Sequence, residues 1–296
     1  MIKLLRHSTM QRFFYNYTLT YNKHSADLRK ILYGSCYDSN LDHFLSNIGA
    51  DLHIGHPFGV HDHIHAREAV DMFKPQGSNC YAFRVHYDKD SYSQTNDKRM
   101  GSQFFTSIPG YHTGATDVTL EYEVFFPNSL HWDTHGTYSK AGGKLPGLYG
   151  GTPFCSGGRD KSNCFSTRHM WRENGHGELY MYFPQTDYLQ TGVSISGNHV
   201  YGTSIRTNSF VFTHEHWITL KQRVHLNDVG QNNGWIEIDL NGQNLFTLHN
   251  VGFRNHNEVK IMGMFFATFF GGHDSIWRSQ TDTYTLYRNF KITVNR

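Results

Sequence analysis

The sequence predicts an all-β fold of two packed antiparallel sheets, on three observations. Aromatic residues make up 15% of the 296-residue chain, and aromatic and β-branched side chains pack well on a half-buried pleat. Glycine is abundant at 28 and proline scarce at 7, the balance expected of many strands joined by tight turns. From about residue 78 onward, apolar and polar residues alternate with a period of two. That alternation turns one face of each strand to a core and the other to solvent.

Residues 1–77 read differently, as a short N-terminal extension that is partly helical or irregular. LRKILYG and LDHFLSNIG have the mixed apolar pattern of short helices, and a histidine-dense stretch follows with His53, His56, His61, His63 and His65. The main domain spans residues 78–296. Tyr81, Phe83, Val85 and Tyr87 mark its first strand, and Val118, Leu120, Tyr122 and Val124 another. Leu179, Met181 and Phe183 alternate with Glu178, Tyr180 and Tyr182. Ile218, Leu220, Val224 and Leu226 follow, interrupted by Gln222, and then Ile236, Ile238 and Leu240. Asn241-Gly242 then turns the chain into NLFTLH; both residues tolerate positive φ, so this is a hairpin signal. In the last strand Tyr284, Leu286, Phe290, Ile292 and Val294 are spaced for one face. Such a series describes a β-sandwich of jelly-roll type. Trp171, Trp217, Trp235 and Trp277 are expected mostly in its core.

Composition excludes several function classes. A net charge of +2 with no basic run interleaved with aromatics argues against nucleic acid. No segment approaches the ~20 apolar residues of a membrane span. The first residues carry positive charge but no apolar core, so a secretory signal is not expected. The four cysteines, Cys36, Cys80, Cys155 and Cys164, show no zinc-type pair. His61, His63 and His65 in HDHIH, with Gly55 and Glu68, resemble the first metal motif of cupins. The glycine expected after the glutamate is missing and no second motif follows, so no metal and no cofactor is expected.

Three short stretches carry chemistry. GGKLPGLYGG places Lys144 in a glycine-rich run. CFSTRHMW places Ser166 and Arg168 two apart, and GELYMYFP does the same for Tyr180 and Tyr182. Spacing of two puts each pair on one sheet face. Taken singly, each has an ordinary structural reading: a solvated turn, a chance pair, a packed pair of rings.

Together they resemble polysaccharide lyase family 14, whose members degrade alginate or glucuronan, and more distantly the glucuronan lyases of family 20. KLPGLYGG is the specific part of that match, supported by S-x-R and by G-x-G-E-x-Y-x-Y from Gly175 to Tyr182. The nearest relatives it suggests are lyases of viruses infecting chlorella-like algae, then mollusc alginate lyases. The resemblance covers about residues 78–296 and implies a jelly roll with Lys144, Ser166, Arg168, Tyr180 and Tyr182 as its active site. It also implies a disulfide between Cys155 and Cys164; for Cys36 and Cys80 the sequence leaves pairing open. The implied partner is an acidic polysaccharide, and a monomer is the expectation. An extracellular or virion-associated enzyme reconciles a disulfide with the missing signal, with host cell-wall degradation as its role.

The chemistry of β-elimination agrees. The reaction must neutralise a uronate carboxylate, remove the C5 proton and protonate the departing O4. An Arg fork meets a carboxylate bidentately, which suits Arg168, with Ser166 as a neutral donor beside it. A phenol titrates near 10, so a phenolate at pH ~8 costs about 2.7 kcal/mol unless cations lower it. Lys144 and Arg168 are expected to do so. Tyr180 or Tyr182 is therefore the expected proton carrier, with Lys144 acting through its field or as the alternative base. The substrate expected first is a glucuronate-containing polysaccharide. The alternatives are mannuronate-rich alginate, or a non-catalytic carbohydrate-binding jelly roll, which would have no need of clustered phenols beside cations.

Overall fold

A computed structural model describes residues 29–32, 39, 60–95, 97–108, 114–184, 195–196 and 201–296. Its described strands form two eight-stranded sheets. The first runs in the order Gln243–Val251 (β14), Gly234–Leu240 (β13), Trp217–His225 (β12), Asp117–Phe125 (β6), Thr283–Val294 (β16), Ala82–Tyr87 (β4) and Val70–Phe73 (β3), with Arg29–Leu32 (β1) also paired to β16. The second runs Ile195–Ser196 (β10), Thr203–Val211 (β11), His176–Tyr182 (β9), Cys164–Arg172 (β8), Gly142–Gly151 (β7), Ile261–Thr268 (β15), Ser102–Thr106 (β5) and Val60–His65 (β2). Every pairing is antiparallel.

Alternation builds the core as expected. Val118, Leu120, Tyr122 and Val124 of β6 are buried, and so are Leu179 and Met181 of β9 and Phe165 and Trp171 of β8; all belong to one apolar cluster. Burying a side chain of this size contributes about 1.5–3 kcal/mol. Gln222, the interruption in β12, is buried on the core side, where its carbonyl accepts the Thr167 hydroxyl at 2.5 Å. Asn241 (φ 50°) and Gly242 (φ 80°) both take positive φ at the β13–β14 hairpin, as the turn chemistry requires.

Three expectations are corrected. In β16 the single-face spacing fails: Thr285 and Tyr287 are buried on the core side, Tyr284 is only partly covered, and Phe290, Ile292 and Val294 then face the core. Asn289 at φ 55° sits in a register shift between Arg288 and Lys291, and the extra residue of such a bulge reverses the alternation. LRKILYG is extended over Arg29–Leu32, because pairing with Val294–Lys291 outweighs a weak local helical pattern. Of the four tryptophans named above, Trp171 lies in the core; Trp217, Trp235 and Trp277 are half-buried and meet cationic side chains instead.

The N-terminal residues thus add strands to both sheets through β1, β2 and β3. LDHFLSNIG, His53, His56 and Cys36 lie outside the described residues, as do the side chains of His61, His63 and His65. Cys80 is disulfide-bonded. Among the described residues no helix is long and apolar enough to cross a membrane.

Candidate active site

β7, β8 and β9 lie side by side within the second sheet, and their register assembles the site. Ser166 faces Tyr182, Arg168 faces Tyr180, and Lys144 faces Met170. Alternation then sorts the faces: Phe165 and Trp171 of β8 with Leu179 and Met181 of β9 go to the core, and Ser166, Arg168, Tyr180 and Tyr182 go to the opposite face. On β7 a register shift between Leu145 and Gly147 lets Leu145 and Leu148 both point inward. Lys144 and Tyr149 consequently share the outer face. The Pro146 carbonyl within this bulge accepts the Tyr122 hydroxyl at 3.0 Å. At Gly147 an added Cβ would lie 2.0 Å from the Thr167 carbonyl oxygen and 2.7 Å from the Arg168 Cα. The glycine-rich run is therefore an interior strand whose backbone passes close to its neighbour.

All five expected residues meet on this face; Tyr180 is partly buried and the other four are buried. Lys144 is 8% exposed, Arg168 and Tyr182 2%, and Ser166 0%. The Lys144 ammonium lies 3.6 Å from the Tyr180 ring centroid, beside the Met170 sulfur. Burial, with Arg168 and Arg172 nearby, pushes its pKa well below the ordinary lysine range. The Arg168 guanidinium lies over Phe265 at 4.5 Å and near Tyr182 at 5.9 Å, with its Nε unpartnered. No carboxylate among the described residues pairs with it.

The two phenol rings meet edge to face at 5.7 Å. Each oxygen accepts a backbone N–H: Gly202 donates to Tyr180 and Gly157 to Tyr182, both at 3.1 Å. Gly202 has no room for a side chain, since a Cβ there would lie 2.6 Å from both rings.

Two expected roles change. Ser166 donates its one hydroxyl proton to the Cys155 carbonyl at 2.8 Å, so in this state it holds a loop and has no proton for a ligand. The cations also fail to lower Tyr180. Burial and the adjacent Tyr182 push its pKa well up, outweighing Arg168 and the Gly202 N–H, so Tyr180 keeps its proton.

The sequence reading missed several members of this face. Arg172 donates to Glu178 through Nε at 2.9 Å, and Ser204 donates to the same carboxylate oxygen at 2.8 Å. Met170, Arg172 and Glu178 continue the period of two in the very segments that held Arg168 and Tyr180, so that signal was present. Gly157, Gly202 and Phe265 arrive from distant segments and left no local signature. Among the described residues no group of three or more His, Cys, Asp or Glu is placed to hold a metal ion.

Cys155 and Cys164 form a disulfide, closing a loop that touches the site twice, through the Cys155 carbonyl on Ser166 and the Gly157 N–H on Tyr182. Replacing both cysteines by serine is expected to lower stability by about 2–3 kcal/mol through loop entropy. It should also reduce turnover, because both contacts loosen. Thermal melting and an activity assay on the same preparation check this; a lower melting point with full turnover would separate the loop from catalysis.

A family model described as Polysaccharide lyase 14 matches residues 75–290. Among solved structures, the marine PL-14 alginate lyase from Aplysia kurodai is 31% identical, with a TM-score of 0.71, covering 87% of this chain and 96% of that one. Alginate lyase vAL-1 from Chlorella virus is 22% identical, with a TM-score of 0.63, covering 79% and 91%, a likeness of fold. Exolysin of Paramecium bursaria Chlorella virus 1 is 26% identical over 224 residues, 70% of this chain. The chain spans only 33% of the length of that viral protein.

Proposed function

Because the chain belongs to polysaccharide lyase family 14, we propose that it cleaves a uronic-acid polymer by β-elimination at the Lys144–Arg168–Tyr180–Tyr182 cluster. One observation carries this reading: a buried guanidinium with no carboxylate among the described residues to pair with lies beside an amine disposed to be neutral and a phenol disposed to keep its proton. A buried charge left unpaired is costly, and a substrate carboxylate supplies the missing partner.

Each group then has a step. Arg168 binds the C6 carboxylate, with charge-assisted hydrogen bonds of about 1.5–3 kcal/mol, and so stabilises negative charge developing at C5. Lys144, shifted toward the neutral amine by burial, takes the C5 proton. The C5–H electron pair becomes the C4–C5 double bond, the C4–O4 bond breaks, and Tyr180 gives O4 its proton. Tyr182 holds Tyr180 from the edge and is itself held by the Gly157 N–H. Ser166 positions the disulfide loop over both. The products are one chain with a new reducing end, whose anomeric hydroxyl is the former O4, and one with an unsaturated uronate at its non-reducing end.

Glucuronate-containing polysaccharide and alginate both present the carboxylate and the C5 proton that these residues read. The 31% identical relative is named for alginate, which supports assaying alginate first. The viral relative and the disulfides support a site of action outside a reducing cytosol, on the host cell wall, reached from a virion or after lysis.

The mechanism fixes the sign of the pH dependence. Below its lowered pKa Lys144 is charged and cannot accept a proton, so activity should rise with pH as the amine is freed, and at lower pH than an exposed lysine would allow. The raised phenol pKa of Tyr180 puts the loss of the acid later still. Ultraviolet absorbance of the unsaturated product, followed against pH on alginate and on glucuronan, tests the proposal. A maximum in acid would remove the lysine base, and no absorbance on either polymer would remove the lyase reading.

A further inference from the structure

The disulfide loop also lines a cavity beside the site. Arg159, Asp160 and Lys161 line this cavity of about 400 Å³ together with Pro184 and Asn255. Pro184 stands two residues beyond Tyr182 on the same run of chain, and the Lys161 ammonium lies 6.0 Å from the Tyr182 ring centroid. The cavity is thus next door to the phenols. Its volume falls in the range of sites that take small organic ligands.

The charges in it are two cations and one acid. The Asp160 carboxylate is occupied locally, accepting both the backbone N–H and the hydroxyl of Ser162, and these bonds hold its pKa below the usual carboxylate range. Arg159 lies 5.3 Å over Phe154, which in turn packs on Phe105 beside the site. The Cys155–Cys164 bond and the Gly157 N–H on Tyr182 tie the loop to the reacting groups. Cations held on a closed, anchored loop lose less freedom on binding than those on a free one.

We propose that this cavity is a subsite for the uronate unit adjoining the one cleaved, with Arg159 and Lys161 holding that unit's carboxylate. The subsite rests on the lyase reading and extends it. It makes a run of at least two acidic units the recognised ligand, and it makes the disulfide loop a polymer-binding element as well as a support for Tyr182.

The test is the Arg159→Ala/Lys161→Ala double variant, whose substitutions lie on the loop surface, assayed on alginate and glucuronan. KM should rise about tenfold with kcat within about twofold, as expected for partly exposed charge contacts to the ground state. The charge-conserving Arg159→Lys/Lys161→Arg pair should recover most of the affinity. An unchanged KM, with the wild-type chain still releasing unsaturated ends, overturns the subsite and leaves the lyase reading intact. If the wild-type chain releases none, that reading fails, and electrophoresis through alginate-containing gels decides the subsite alone. Retardation lost in the double variant supports it; equal retardation overturns it.

Discussion

Lys144→Met should lower kcat by about a thousandfold, within the range that removal of a positioned general base costs, while the protein folds as well as before or better. The separation of the two effects is the point. Lys144 is 8% exposed, and its amine lies against the Met170 sulfur and the Tyr180 ring. A charged amine in that setting is disfavoured by burial and by Arg168 and Arg172. Methionine matches the lysine side chain as far as Cε and removes the amine, so thermal melting should hold or rise as turnover disappears. Full turnover in this variant would mean that the amine is not the base.

The tyrosines should give the second large effect. Tyr180→Phe and Tyr182→Phe keep their rings, and with them the edge-to-face contact and the fit against Gly202. Each loses one oxygen and strands one backbone N–H, at a cost of about 1–3 kcal/mol. Both should therefore fold. With Tyr180 as the acid, Tyr180→Phe should lose about a hundredfold or more in kcat. Tyr182→Phe should lose less if it acts through Tyr180 and the loop, and its pH profile should shift where that of Tyr180→Phe collapses. Wild-type rates in both variants would remove the phenols from the mechanism.

How much of this was legible in the sequence depends on the distance over which each feature is set. The strand faces were readable because alternation is local: Val118 to Val124, and Leu179 with Met181, declare their burial within a few residues. The β16 bulge was not, since Asn289 looks like any polar residue until its φ is known, and one extra residue there turns Tyr284 away from the core. The cluster of Lys144, Ser166, Arg168, Tyr180 and Tyr182 was legible as a set of motifs. Its electrostatics were not. Whether cations lower a phenol or burial raises it depends on how far the face is covered, and the cover comes from the Cys155–Cys164 loop and from Gly202. Ser166 shows the same limit: its hydroxyl is committed to a carbonyl eleven residues away, a partner no local spacing reveals.

The central claim is that the cluster breaks the C4–O4 bond by moving a proton from C5 to O4, with no water consumed. Mass spectrometry of a defined alginate or glucuronan oligosaccharide cut by the full chain reads this directly. The two fragment masses should sum to that of the parent. A sum larger by one water for each cut would show hydrolysis and contradict it.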